Sequence, residues 1–184
     1  LSFNLVFLSH RLFLKSFLTP PHQSLAEWDE KLKERKIAGL SAADAHIHVQ
    51  GLGMNVERYL MQFQSNTLYA LAPELSESAI FEAIAKGRSF MALEAFGLAR
   101  GFSFEAVGHR MVFSMGEEVP LSEALLLEVH IPEVAEIRLI HDAHVIERMK
   151  GKRFTHLVDD RGSYRVEVYK NERLWIISNP IYVT

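Results

Sequence analysis

The sequence predicts an α+β chain, with helix–strand units over residues 1–100 and an antiparallel β-sandwich over residues 101–184. Three observations predict it. A helical pattern leads into the apolar run Ile37-Ala-Gly-Leu-Ser-Ala-Ala43, which stops at Asp44. A helix feeding a buried strand with polar residues at its C-terminal end is a unit of an α/β barrel or sheet. From Gly101 the hydrophobic side chains alternate with period two, beginning Phe102-Ser-Phe-Glu-Ala-Val107, and strand candidates then recur roughly every ten residues between turn sequences, the habit of a sandwich.

Residues 1–18 are rich in Leu, Phe and Val but interrupted by Asn4, His10, Arg11 and Lys15. They are too polar and too short for a membrane span, and their basic residues follow the apolar run, whereas a signal peptide places them before it. They read as an amphipathic helix that packs on something, in a chain that is a piece of a longer protein. Pro20-Pro21 ends this segment. Ser24 is the expected cap of a second helix with Glu27 as its capping-box partner, and Leu25, Trp28, Leu32 and Arg35 share one face. Gly39 is its stop signal, and residues 37–43 are the expected strand. After a loop carrying Gly51 and Gly53, residues 55–63 read as a short helix and 67–71 as an extended segment. Residues 76–86 form the clearest helix, capped near Ser76 or Ser78, apolar at Ile80, Ala83 and Ile84, and stopped at Gly87. Residues 89–96 read as a strand. The sandwich strands are expected at 111–115, 124–131, 136–140, 145–149, 154–158, 163–169 and 174–178.

With 48% hydrophobic and 23% charged residues in 184, the chain can bury a real core. A net charge of −3 points to neither nucleic acid nor an anionic membrane surface as partner. The chain has no cysteine, which excludes disulfides, thiolate zinc sites and cysteine nucleophiles.

The candidate chemistry is Asp44, His46 and His48. At a spacing of two on an extended chain, the three side chains face one pocket. A carboxylate and two imidazoles at a strand end are credible ligands for Zn, Mn or Fe. A catalytic metal site wants three protein ligands and an open position, so Asp44 and His46 leave one incomplete. His141-Asp-Ala-His144 repeats the Asp-x-His pattern between two strands at hairpin distance and reads as a turn. His10 and His22 read as surface or capping residues, while His109, His130 and His156 lie in the strand-rich half without carboxylates at ligand spacing. Arg88, which follows Gly87, has the reach to touch a phosphate but reads as a solvated cation at a helix end; Glu117 and Glu118 read as a polar turn. No Gly-rich phosphate loop, serine elbow or basic-aromatic patch is present.

Taken in order, several stretches resemble one family. Trp28-Asp29 with Leu32, then Gly39-Leu-Ser-Ala-Ala-Asp44-Ala-His46, resembles the final active-site strand of the PHP (polymerase and histidinol phosphatase) family of metal-dependent hydrolases. Ala83-Ile-Ala-Lys-Gly-Arg-Ser-Phe90, Gly101-Phe-Ser-Phe-Glu-Ala, Met115-Gly-Glu-Glu, Tyr164-Arg-Val-Glu-Val-Tyr169 and Trp175-Ile-Ile-Ser-Asn-Pro-Ile-Tyr-Val183 look like the carboxy-terminal region of its carbaryl-hydrolase-like branch. The resemblance runs from about Leu25 to the end. It implies a distorted seven-stranded β/α barrel holding up to three divalent metals. The family hydrolyses phosphoesters or related esters and carbamates with a metal-activated water. Asp44 and His46 match the last ligand pair, and His48 is a neighbour outside it.

The family's earlier motifs, beginning with a His-x-His, have no counterpart before Asp44, and six barrel strands at about thirty residues per βα unit do not fit there. The resemblance therefore implies the last β/α elements of a PHP-type barrel followed by an antiparallel β-sandwich. The chain is then the carboxy-terminal portion of a metal-dependent hydrolase, contributing Asp44 and His46 and inactive by itself. In the complete protein, the implied cofactor is a divalent Zn, Mn or Fe and the implied partner a small phosphoester, ester or carbamate. Barrel surface left without neighbours is expected to favour self-association. The alternative is a non-catalytic β-sandwich interaction module whose metal motif is vestigial.

Overall fold

A computed structural model describes residues 21–42, 50–51, 54–55, 66–122 and 124–184. Its architecture follows from two long neighbouring strands, β8 (Leu126–His141) and β9 (His144–Leu157), joined by a two-residue turn. Both turn residues, Asp142 and Ala143, have positive φ (43° and 74°), the primed turn whose twist suits a tight hairpin. The hairpin is not straight. His130 faces Arg153 and Ala135 faces Gly151, so four residues of β8 stand against Lys152 alone. Pro132 lies in that surplus, where it has no amide to give to a ladder.

The bend is sharp enough to fold β9 back on itself. Glu147 and His156 lie nine residues apart on this strand, about 30 Å if it were extended. Yet the Nδ1 of His156 is 2.8 Å from the Glu147 carboxylate.

The remaining strands add to this bent pair. In chain order they are β1 (Gln50–Gly51), β2 (Met54–Asn55), β3 (Thr67–Ala70), β4 (Ser89–Ala92), β5 (Ser103–Val107), β6 (Val112–Ser114), β7 (Glu118–Val119), β10 (Gly162–Lys170), β11 (Arg173–Ser178) and β12 (Ile181–Val183). β1 and β2 pair only with each other. The rest form one ten-stranded curled sheet in the order β3-β4-β11-β10-β8-β5-β6. Off that path, β9 pairs with β8, and β12 pairs with β10 and, in parallel, with β7. Strands on both sides of residue 100 share this ladder, since β4 pairs with β11.

Alternation along the strands sorts the sheet into two faces. Phe104, Leu127, Val129, Ile137, Leu139, Val166 and Val168 point into the curl and close the main core around Trp175. On the outer face a smaller cluster of Met91, Tyr169, Leu174 and Ile177 is covered by Leu25 and Trp28 of helix α1 (His22–Leu32). α1 covers this face, so all six residues 164–169 of β10 are buried on one side or the other. α1 begins at Pro21 without a side-chain cap, and the expected cap Ser24 lies inside it. The second helix, α2 (Glu77–Ala85), starts as its sequence requires. Ser76 Oγ accepts from the Ala79 amide, and Gly87 (φ 70°) turns the chain out of the helix.

The expected fold class is thereby corrected: among the described residues no β/α barrel elements precede a separate sandwich. A barrel is built from parallel strands joined by crossover helices, whereas β3 and β4, on either side of α2, pair antiparallel. The sandwich is replaced by one continuous, mostly antiparallel sheet that the bulge at Pro132 curls over itself. Among the described residues no helix is long and apolar enough to cross a membrane.

Candidate functional site

The predicted metal ligands Asp44 and His46, with their neighbour His48, lie outside the described residues. Their approach, residues 36–42, is described. The sequence predicts a strand over 37–43, but residues 37–42 join no ladder. Side chains from three separate places hold the main chain instead. Trp28 of α1 donates its indole N–H to the Ile37 carbonyl at 3.0 Å. Asn179 grips Gly39 from both sides: its Oδ1 accepts from the Gly39 amide at 2.7 Å, and its Nδ2 donates to the Gly39 carbonyl at 3.1 Å. Asn66 donates to the Ala42 carbonyl at 2.9 Å, and its Oδ1 accepts from the Ser41 hydroxyl at 2.6 Å.

The centre of the clamp is Asn179, which is fully buried. It sits at Ser178-Asn179-Pro180, where Pro180 separates β11 from β12. The same Nδ2 also meets the carbonyl (2.9 Å) and the hydroxyl (3.0 Å) of Ser89, itself fully buried. A buried amide unpaired in this place would be costly, and these partners satisfy it. Gly39 is required by close approach, because a Cβ there would come within 2.6 Å of the Trp28 ring.

Trp28 is itself held by an ion network on the outer face. Arg165 of β10, 4% exposed in its side chain, makes two hydrogen bonds to Asp29 of α1 at 2.8 and 2.7 Å. A third guanidinium nitrogen donates to Glu167 at 2.5 Å, and the Tyr169 hydroxyl donates to the same carboxylate at 2.8 Å. Burial works against the charge on Arg165, but its hydrogen bonds to Asp29 and the charge of Glu167 hold its pKa above the usual value. Burial, then the negative charge of Glu167, pushes the Tyr169 phenol well up. Arg165 lies 5.5 Å from the Trp28 ring, and Arg138 stacks at 3.7 Å on Tyr169. The forked pair fixes α1 on the sheet and with it the angle of Trp28.

The other sequence candidates have local explanations. His141-Asp-Ala-His144 forms the β8–β9 turn, and Asp142 accepts from the amide and hydroxyl of Ser163 at 2.8 and 2.9 Å. Glu117 accepts from the Ser114 amide, and Glu118 pairs with Lys36. His156 pairs with Glu147, a partner hidden in sequence because only the bend in β9 brings the two together. Among the described residues no group of three or more His, Asp or Glu side chains is arranged to hold a metal ion.

Sequence reasoning missed Asn179, Asn66 and the Asp29–Arg165 pair as structural agents. The sequence carries no signal for Arg165: Tyr164-Arg-Val-Glu-Val-Tyr169 alternates like a half-solvated strand, and only the helix covering that face creates the need for a counter-ion. Hydrogen bonds link Trp28-Asp29, Gly39, Ser89, Arg165–Tyr169 and Ser178-Asn179 around this clamp, whereas the stretches at 101–106 and 115–118 take no part in these bonds. Compared with family models, with curated proteins and with solved structures, the chain matches none.

Proposed function

We propose that this chain is the carboxy-terminal portion of a PHP-type metal-dependent hydrolase, acting on phosphoesters or related esters and carbamates. In this reading the curled sheet is a platform that holds the segment carrying Asp44 and His46, two of the metal ligands. The observation that supports it most is the clamp on residues 37–42. Three side chains hold a strand-like run that joins no ladder, the last contact falling at Ala42, two residues before Asp44. Two consecutive Cα–Cα steps keep Asp44 within about 7.6 Å of Ala42. Such a hold serves a segment whose far end must arrive at a defined place.

Within the chain, Asp44 would supply a carboxylate and His46 an imidazole to a divalent ion, Zn, Mn or Fe. The ion, when bound, would activate a water for attack on phosphorus or carbonyl carbon. Asn179 and Trp28 act through the main chain as positioning residues. The test is the metal content of the purified chain and of Asp44→Ala and His46→Ala, with hydrolysis of an aryl phosphate and an aryl ester. The expected result is weak uptake that both substitutions abolish, and no turnover. Metal retained in both variants would place the ligands elsewhere. Stoichiometric metal with turnover by this chain would overturn its reading as a portion of a site.

A further inference from the structure

Strand β9 lies at an edge of the sheet. Among the described residues it pairs with β8 alone, so every second residue turns its amide and carbonyl outward with no strand to receive them. We propose that this edge binds an extended acidic segment of a partner protein, which adds as a strand along residues 144–150 and sets its carboxylates against Arg148 and Lys150. The proposal is separate from the metal reading and needs neither Asp44 nor His46.

The charge of β9 carries the inference. Arg148, Lys150, Lys152 and Arg153 crowd into one short stretch of a chain whose net charge is −3. All four are exposed, and among the described residues none makes an ion pair or a side-chain hydrogen bond. Residues opposite one another in a ladder share a face. Ile137 and Leu139 point into the curl, which puts Met149 and Glu147, their partners on β9, on the inner row. Arg138 and Glu136 stand on the outer row, and so do their partners Arg148 and Lys150. The one carboxylate of β9 is thus turned away from these cations and engaged by His156. Glu136, across the ladder from Lys150, is bonded to Arg138. Arg148 is left facing the like charge of Arg138, an unfavourable pair that an incoming carboxylate would relieve.

Backbone and charge together select the occupant. A nucleic acid or a lipid surface answers the cations but not the open amides and carbonyls, whereas an extended peptide answers both. A second copy of this chain answers the backbone but not the charge. Two β9 strands paired antiparallel about a twofold axis set Arg148 against itself or against Lys150, or Lys150 against itself, wherever the basic stretches overlap. Like charges directly opposite are destabilising. Lysines on an edge keep copies of a protein apart in this way, and the same lysines attract an acidic strand. The bend beside Gly151 limits the straight edge to residues 144–150, about 23 Å, so the segment it takes is about seven residues long. Its acidic side chains recur at every second position on the outer face, with an apolar one opposite Met149.

The test titrates the intact chain with an octapeptide of alternating Glu and Val, followed by amide chemical shifts. Saturable binding is expected, with the shifts centred on residues 144–150. The double variant Arg148→Gln, Lys150→Gln alters two exposed side chains, so its fold is expected to hold, and it should bind about tenfold more weakly. Lys86→Gln, which removes an exposed cation from α2, is expected to bind as the unaltered chain does, and so is Asp44→Ala. The same peptide N-methylated at every backbone amide keeps its charges but cannot join a ladder, and it is expected not to bind. Absence of saturable binding, shifts centred on another element, or equal affinity in the double variant or for the N-methylated peptide would overturn the proposal. A single-stranded oligonucleotide or an anionic vesicle that binds this edge more tightly than the peptide would overturn it as well.

Discussion

Asn179 and Arg165 each do at the scale of one side chain what a ladder or a core does elsewhere. Asn179→Ala removes both side-chain hydrogen bonds to Gly39 and the side-chain donor to Ser89, whose carbonyl keeps only the main-chain amide of residue 179 at 3.3 Å, so it should destabilise the fold by about 2–4 kcal/mol. Urea denaturation measures it. Asp29→Ala strands the Arg165 charge beside Glu167 alone and should cost about 3–5 kcal/mol, because breaking a buried pair leaves an uncompensated ion. The same denaturation series reads it, and a loss below about 1 kcal/mol, the scale of an exposed pair, would mean the network does not hold α1 in place. Neither role was legible in the sequence. Arg165 and Glu167 alternate as a solvated strand face would, and only the helix lying over them makes them interior. Asn179 lies in a Ser-Asn-Pro stretch that reads as a strand end.

Among the elements, those with local causes were legible. α2 carries its cap at Ser76 and its stop at Gly87, and the period-two runs of β5, β8, β10 and β11 fall where the sequence places strands. What was missed needed distant partners. The hairpin β8–β9 reads as four short strands, because Pro132 and Gly151 look like punctuation when they mark one bend. β12 is hidden behind Pro180, and residues 37–43 read as a strand because an apolar run does not reveal whether a neighbour pairs with it. The turns provide a test of element geometry. Ala143 and Glu172 hold φ values of 74° and 63°, conformations that glycine adopts without penalty. Ala143→Gly and Glu172→Gly should each raise stability by up to about 1 kcal/mol, read as a higher thermal midpoint. A lowered midpoint in both would contradict the turn assignment.

For the whole molecule, one curled sheet closed by a helix on its outer face explains why so many tyrosines are enclosed. Burial, with the hydrogen bond to Glu94, pushes the Tyr69 phenol up to about 12. Burial, with the charges of Asp159 and Asp160, does the same for Tyr164. Tyr169 and Tyr182 are raised as well. Between the unfolded value near 10 and the folded value near 12, the unfolded chain has lost these protons and the native chain keeps them. The unfolded state therefore binds fewer protons, and stability must fall as pH rises through that window. It is fully present below pH 10. Denaturation at pH 9, 10 and 11 should record the decline, with a shallower slope in Tyr164→Phe; a flat profile would contradict the enclosure of these phenols.

The claim that joins these scales is that the sheet holds residues 37–42 so that Asp44 and His46 meet a metal. The most direct measurement adds Mn(II) to the isotopically labelled chain and maps which amide signals it broadens. The account predicts broadening centred on Asp44 and His46 and reaching Ala42, abolished in Asp44→Ala. Broadening centred on the His141–His144 turn, or unchanged in Asp44→Ala, would contradict it.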